Sequence, residues 1–78
     1  MFKYTVAKEA DNKAFLSACN KIENQIHPLK KETPLVDVDG SVIQVYYCKN
    51  KKIKVLNDYE VDAVYIRSEK DLSDLFKN

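Results

Sequence analysis

The stretch LVDVDGSVIQVYYCKNKKIKVLNDYEVDAVYIR, residues 35–67, decides how this chain folds. Apolar and polar residues alternate through much of it, and a period of two marks a half-buried β-strand. Asp39-Gly40 is its strongest turn signal. A two-residue hairpin turn needs positive φ at both positions, which Asp-Gly tolerates. Such a turn sets Val38 opposite Ser41 and Val36 opposite Ile43. Lys49-Asn50-Lys51 reads as a three-residue loop, setting Tyr47 opposite Ile53 and Val45 opposite Val55. Asn57-Asp58-Tyr59 reads as another, setting Val55 opposite Val61 and Ile53 opposite Ala63. The three turns then agree on one apolar face: Val36, Val38, Ile43, Val45, Tyr47, Ile53, Val55, Val61, Ala63 and Tyr65, interrupted by Ser41. A slip of one residue would turn a strand over. The agreement predicts a four-stranded antiparallel meander.

Upstream, Phe2, Tyr4 and Val6 alternate with Lys3 and Thr5, which predicts a short first strand at an edge of the sheet. Phe15, Ala18, Cys19, Ile22 and Ile26 then recur at helical spacing, behind a cap at Asp11 or Asn12. Pro28 ends that helix, because the residue before a proline avoids the helical region. His27–Pro34 is a polar connector with two prolines. Downstream, Ser68 and Asp71 resemble a capping box, and Leu72, Leu75 and Phe76 form a short stripe. They predict a terminal helix of about two turns. The expected fold is α+β in two layers, a helix packed on a mostly antiparallel β-meander, in the order β-α-β-β-β-β-α.

The chain has 78 residues, which predicts a single α+β domain over residues 1–78. A domain this small buries a modest share of its surface and has a stability of about 5 kcal/mol. Its 45% apolar and 32% charged residues suit a globular fold and are too apolar for disorder. The formal net charge of +1 argues against a strongly basic nucleic-acid binder and against an acidic DNA mimic. Any electrostatic function must therefore come from local patches. Cys19 and Cys48 read as free thiols, since a small secreted domain would carry more cysteine. The opening Met1–Val6 carries no leader signature, and no apolar run approaches the ~20 residues of a membrane span. The cytoplasm is the default location. Arg67 is the only arginine among many lysines, as in AT-rich genomes, which hints at a bacterial or phage origin.

The catalytic inventory is poor. His27 is the only histidine and has no evident orienting partner, so it reads as a surface residue at the negative end of the helix. The single glycine, Gly40, is used by the turn, so no phosphate-cradling loop and no cofactor motif is present. Asp37 and Asp39 lack the further oxygen ligands of a calcium loop. Glu60 and Asp62 share a face and read as solvated charges. No catalytic residue, metal ligand or cofactor is expected, and the chain does not read as an enzyme.

The outer face of the expected sheet is the more informative surface. It mixes Tyr46, Leu56, Val64 and Ile66 with Lys54 and Asp62, and its register sets Tyr46 opposite Lys54 and Lys54 opposite Asp62. Either the connector or the terminal helix covers part of it, or it is an exposed apolar patch of the kind that marks an interaction surface. The leading expectation is a non-enzymatic module that binds a protein partner or itself through these six residues. The alternative is a single-stranded nucleic-acid-binding accessory protein using Tyr46, Lys49, Lys51, Lys52 and Lys54, where bases stack on rings and lysines follow phosphates.

Overall fold

An apolar stripe and a capping aspartate together define the helix. In a computed structural model describing residues 1–76, helix α1 spans Asn12–Gln25 and buries Phe15, Ala18, Cys19 and Ile22. Asp11 is extended at φ −154° and ψ 118°, and its carboxylate accepts the Lys13 N–H at 2.9 Å. Its own N–H donates to Oδ1 of the buried Asn57 at 3.1 Å, which pins the start of the helix to the sheet. Replacing Asp11 with alanine should cost about 1 kcal/mol in urea unfolding, the usual loss of an N-cap. At the other end His27 turns left-handed at φ 55°, and Pro28 prevents continuation.

Strand β1 (Phe2–Ala7) precedes the helix. After it come β2 (Lys30–Lys31), β3 (Leu35–Val36), β4 (Val42–Cys48), β5 (Lys51–Asp58) and β6 (Ala63–Ser68). All pairings are antiparallel, in the order β1-β6-β5-β4, with β2 and β3 sharing the far edge of β4. The connector is thus an edge strand broken around Pro34. Its register shifts between the Lys31–Tyr46 pair and the Leu35–Ile43 pair. The buried Gln44 stitches the break by donating to the Glu32 carbonyl at 2.6 Å. The helix covers one side of the sheet, giving the expected two-layer α+β fold. The core lies between them and includes Tyr4, Ile22, Tyr46, Ile53, Val55, Val64, Ile66 and Leu72. Among the described residues no helix is long and apolar enough to cross a membrane.

The three turns all differ from the expected lengths, each by an odd shift. The first hairpin has three loop residues, Val38-Asp39-Gly40: the Gly40 N–H reaches the Asp37 carbonyl at 3.0 Å, and the Asp37 N–H reaches the Ser41 carbonyl at 2.8 Å. Within that loop only Gly40 has positive φ, 89°, which is the glycine position of a three-residue hairpin. The second loop is Lys49-Asn50 alone, since Cys48 pairs with Lys51 and Tyr46 with Ile53. The third is Tyr59–Asp62, since Asp58 pairs with Ala63 and Val55 with Ile66. Asp58 fixes that loop by accepting the Glu60 and Val61 N–H groups at 2.9 and 3.3 Å. Each odd shift turns one strand over relative to its neighbour. Strand β5 keeps Ile53 and Val55 inward as expected, while β4 and β6 are reversed. Tyr46, Val64 and Ile66 face the helix, and Tyr47 and Tyr65 face away.

The expected terminal helix is replaced by one turn, in which the Leu72 carbonyl accepts the Leu75 and Phe76 N–H groups. Any continuation of that helix past Phe76 lies outside the described residues. Ser68 does not cap it, because its hydroxyl bonds to the Lys70 backbone and Asp71 accepts the Ser73 N–H instead. Leu72 and Phe76 are buried in the core. The Tyr4 hydroxyl clasps the segment, accepting the Leu72 N–H at 2.8 Å and donating to Asp71 at 3.1 Å.

Candidate nucleic-acid interface

No described element covers the sheet side away from the helix. Directly opposed residues share a face, so the pairings place Lys3 beside Arg67 and Arg67 beside Lys54. Three cations therefore lie in one row across β1, β6 and β5. The neighbouring row is Lys52, Tyr47 and Lys30. The row on the other side is Thr5, Tyr65, Leu56, Ile43 and Leu35. The cationic row thus runs between two tyrosines. With strands about 4.8 Å apart and about 3.4 Å per residue, the backbone positions of the two tyrosines are about 17 Å apart and Lys54 lies midway.

Lysine heads lie over both rings. Nζ of Lys30 and of Lys52 are 5.7 and 5.6 Å from the Tyr47 ring centre, and Nζ of Lys3 is 5.0 Å from that of Tyr65. Both hydroxyls are anchored, Tyr47 donating to Glu32 at 3.1 Å and Tyr65 to Asp58 at 3.2 Å. Burial pushes the Tyr65 hydroxyl above its usual pKa, and the Asp58 carboxylate adds to that, so it stays a neutral donor. The carboxylates around this face are engaged locally. Glu32 holds Tyr47, Asp58 holds Tyr65 and its loop, and Glu69 accepts the Lys52 N–H at 2.7 Å. The one salt bridge among the described residues, Lys31–Glu23 at 3.0 Å, is on the helix side.

The expected site residues separate accordingly. Tyr46, Val64 and Ile66 are 0% exposed beneath the helix and offer no surface. The Tyr46 hydroxyl donates to Glu23 at 2.5 Å. Leu56 and Lys54 do lie on the outer face, but Lys54 opposes Arg67 and Val45 rather than Tyr46 and Asp62. Asp62 sits in the last loop and accepts the Ala10 N–H at 2.9 Å. Of the basic hairpin, Lys52 joins Lys54 on the open face, while Lys49 and Lys51 lie at the sheet end. Tyr47 takes the outward place expected of Tyr46. The members that sequence reasoning missed are Lys3, Lys30, Tyr65 and Arg67.

Other chemistry is sparse. Cys19 is buried and Cys48 half-buried, both free, and burial pushes both thiols up, away from the reactive thiolate. Among the described residues no group of three His, Cys, Asp or Glu side chains is placed to hold a metal ion. Comparison with protein-family models, with curated proteins and with solved structures finds no match to this chain.

Proposed function

We propose that this protein is a non-enzymatic module that binds single-stranded nucleic acid across its open sheet face. The observation that carries the reading is the Lys3–Arg67–Lys54 row between Tyr47 and Tyr65. Like charges directly opposed across a sheet are destabilising, by roughly 0.2–1 kcal/mol for each pair. A sheet selected for stability alone would alternate their signs. A polyanion lying along the row turns that repulsion into attraction.

The tyrosines specify which polyanion. Bases stack on aromatic faces for about 1–3 kcal/mol each, and only a single strand presents its bases to a flat surface. A base stacking on Tyr47 or Tyr65 displaces a lysine head, which then reaches a phosphate. A spacing of about 17 Å between the backbone positions of the two tyrosines leaves the intervening phosphates over Lys54 and Arg67. The expected preference is for flexible, unpaired strands without strict sequence readout.

The test is a fluorescence-anisotropy titration with a labelled oligothymidylate of about ten nucleotides, a length typical of such sites. Three to five phosphate contacts predict a log K against log salt slope of roughly −2 to −3.5. Absence of binding at low salt, or a slope near zero, would overturn the proposal.

A further inference from the structure

The net charge of +1 conceals a separation of charge along the strands. At one end, the loops over residues 37–41 and 58–62 hold five carboxylates and no basic residue. The same loops expose apolar side chains, with Val38 103%, Val61 62% and Tyr59 49% accessible. The Tyr59 N–H bonds the Ser41 hydroxyl at 2.9 Å and joins the two loops into one tip. At the other end of β4 and β5 lies a groove of about 390 Å³. Ile26, Leu29 and Cys48 give it an apolar lining, and Lys49, Lys51 and Lys70 contribute charge without any carboxylate. One end is an acidic apolar tip and the other a basic apolar groove.

We infer that the tip of one copy docks into the groove of a second copy, so that the protein associates head to tail. Charge complementarity selects this occupant: carboxylates around Val38 meet lysines around Leu29 while apolar surface on both sides leaves water. The near-zero net charge adds no long-range repulsion between copies. The two surfaces sit at opposite ends of the seven-residue β4, about 24 Å long, so they cannot meet within one molecule. Each docked copy leaves its other end open, and a contact between unlike surfaces extends into rings or short filaments rather than closing as a two-fold dimer. The contact uses none of the cations or tyrosines assigned to the open sheet face; Asp58, which holds the Tyr65 hydroxyl, lies in the tip but is left unchanged in every variant below, so the contact stands or fails separately from the nucleic-acid reading.

Sedimentation velocity without nucleic acid tests it, using two charge-reversed variants whose folding is checked by circular dichroism. The native protein should gain weight-average mass with concentration at low salt and lose that gain at high salt. D37K/E60K and K51E/K70E should each lose most of the mass gain, because the first cuts the tip from five net negative charges to one and the second leaves the groove net negative like the tip. Mixing the two should restore association in pairs, since the unaltered tip of K51E/K70E then finds the unaltered groove of D37K/E60K. Val38→Ser, at a fully exposed tip position that cannot disturb the core, removes apolar surface without changing the charge and should also reduce the mass gain. A native protein that stays monomeric at low salt overturns the inference. So do variants that associate like the native chain, and so does a mixture that stays monomeric.

Discussion

Tyr46→Ala should bring this protein to the edge of unfolding at room temperature. Tyr46 is fully buried, packed among Ile22, Ile53, Val55 and Ile66, and its hydroxyl donates to Glu23. Removing a buried ring costs roughly 3–5 kcal/mol through lost transfer energy and the cavity left behind. A domain of this size has about 5 kcal/mol in total. Tyr46→Phe keeps the ring and removes only the bond to Glu23, so its loss should be about 1–2 kcal/mol. Urea unfolding followed by circular dichroism measures both. The contrast with Tyr47 is diagnostic, because Tyr47→Ala removes an outward ring and should cost far less. If Tyr46→Ala lost under about 1 kcal/mol, the ring would have to lie outside the core, contrary to what burial of an aromatic requires.

Arg67→Glu should raise stability and weaken nucleic-acid binding together. Arg67 sits between Lys3 and Lys54, so the change converts two opposed like-charge pairs into two attractive ones. At roughly 0.2–1 kcal/mol per pair, the gain should approach 1 kcal/mol. For a domain of this size that is about 4–8 °C in melting temperature. Losing the phosphate contact and adding a negative charge should weaken oligonucleotide binding regardless of sequence and flatten the salt slope by about one or more. Mutations that merely damage a fold lower stability and binding in parallel. Opposite movement separates a surface kept for a ligand from one kept for packing. Unchanged affinity would overturn the assignment of the row to a polyanion, and a lower melting temperature would overturn the argument about its cost.

Some of this architecture is legible in the residues and some is not. The helix is legible because Phe15, Ala18, Cys19 and Ile22 sit among polar neighbours, so only one face can be buried. Strand β5 is legible because Lys52, Ile53, Lys54 and Val55 alternate without ambiguity. Strands β4 and β6 are not, because Val45-Tyr46-Tyr47 and Ala63-Val64-Tyr65-Ile66 are apolar at both alternating positions. There the turn lengths decide the face, and those depend on particular bonds: Gly40 to Asp37, and Asp58 to Glu60 and Val61. One clue was present. Continued two residues past Tyr65, the expected register would point Arg67 inward, where an unpaired charge is costly. The hairpin lysines Lys52 and Lys54 were visible as a local cluster. Lys3, Lys30 and Arg67 join them only through the pairing of β1 with β6 and of β2 with β4, which no local pattern reports.

The antiparallel match of β1 to β6 also sets a timetable for synthesis. Phe2–Ala7 is the first strand to leave the ribosome and Ala63–Ser68, its partner, the last. At about 5–20 residues per second the first strand waits on the order of 3–13 s for that partner. Meanwhile the β4–β5 hairpin and the helix can form from nearby residues. Closing the sheet comes last, when Tyr4 reaches across 68 positions to receive the Leu72 N–H. Contacts this distant in sequence make the final step slow. During the wait, Lys3 and Lys8 are the charges on and beside that strand that discourage its pairing with other nascent chains.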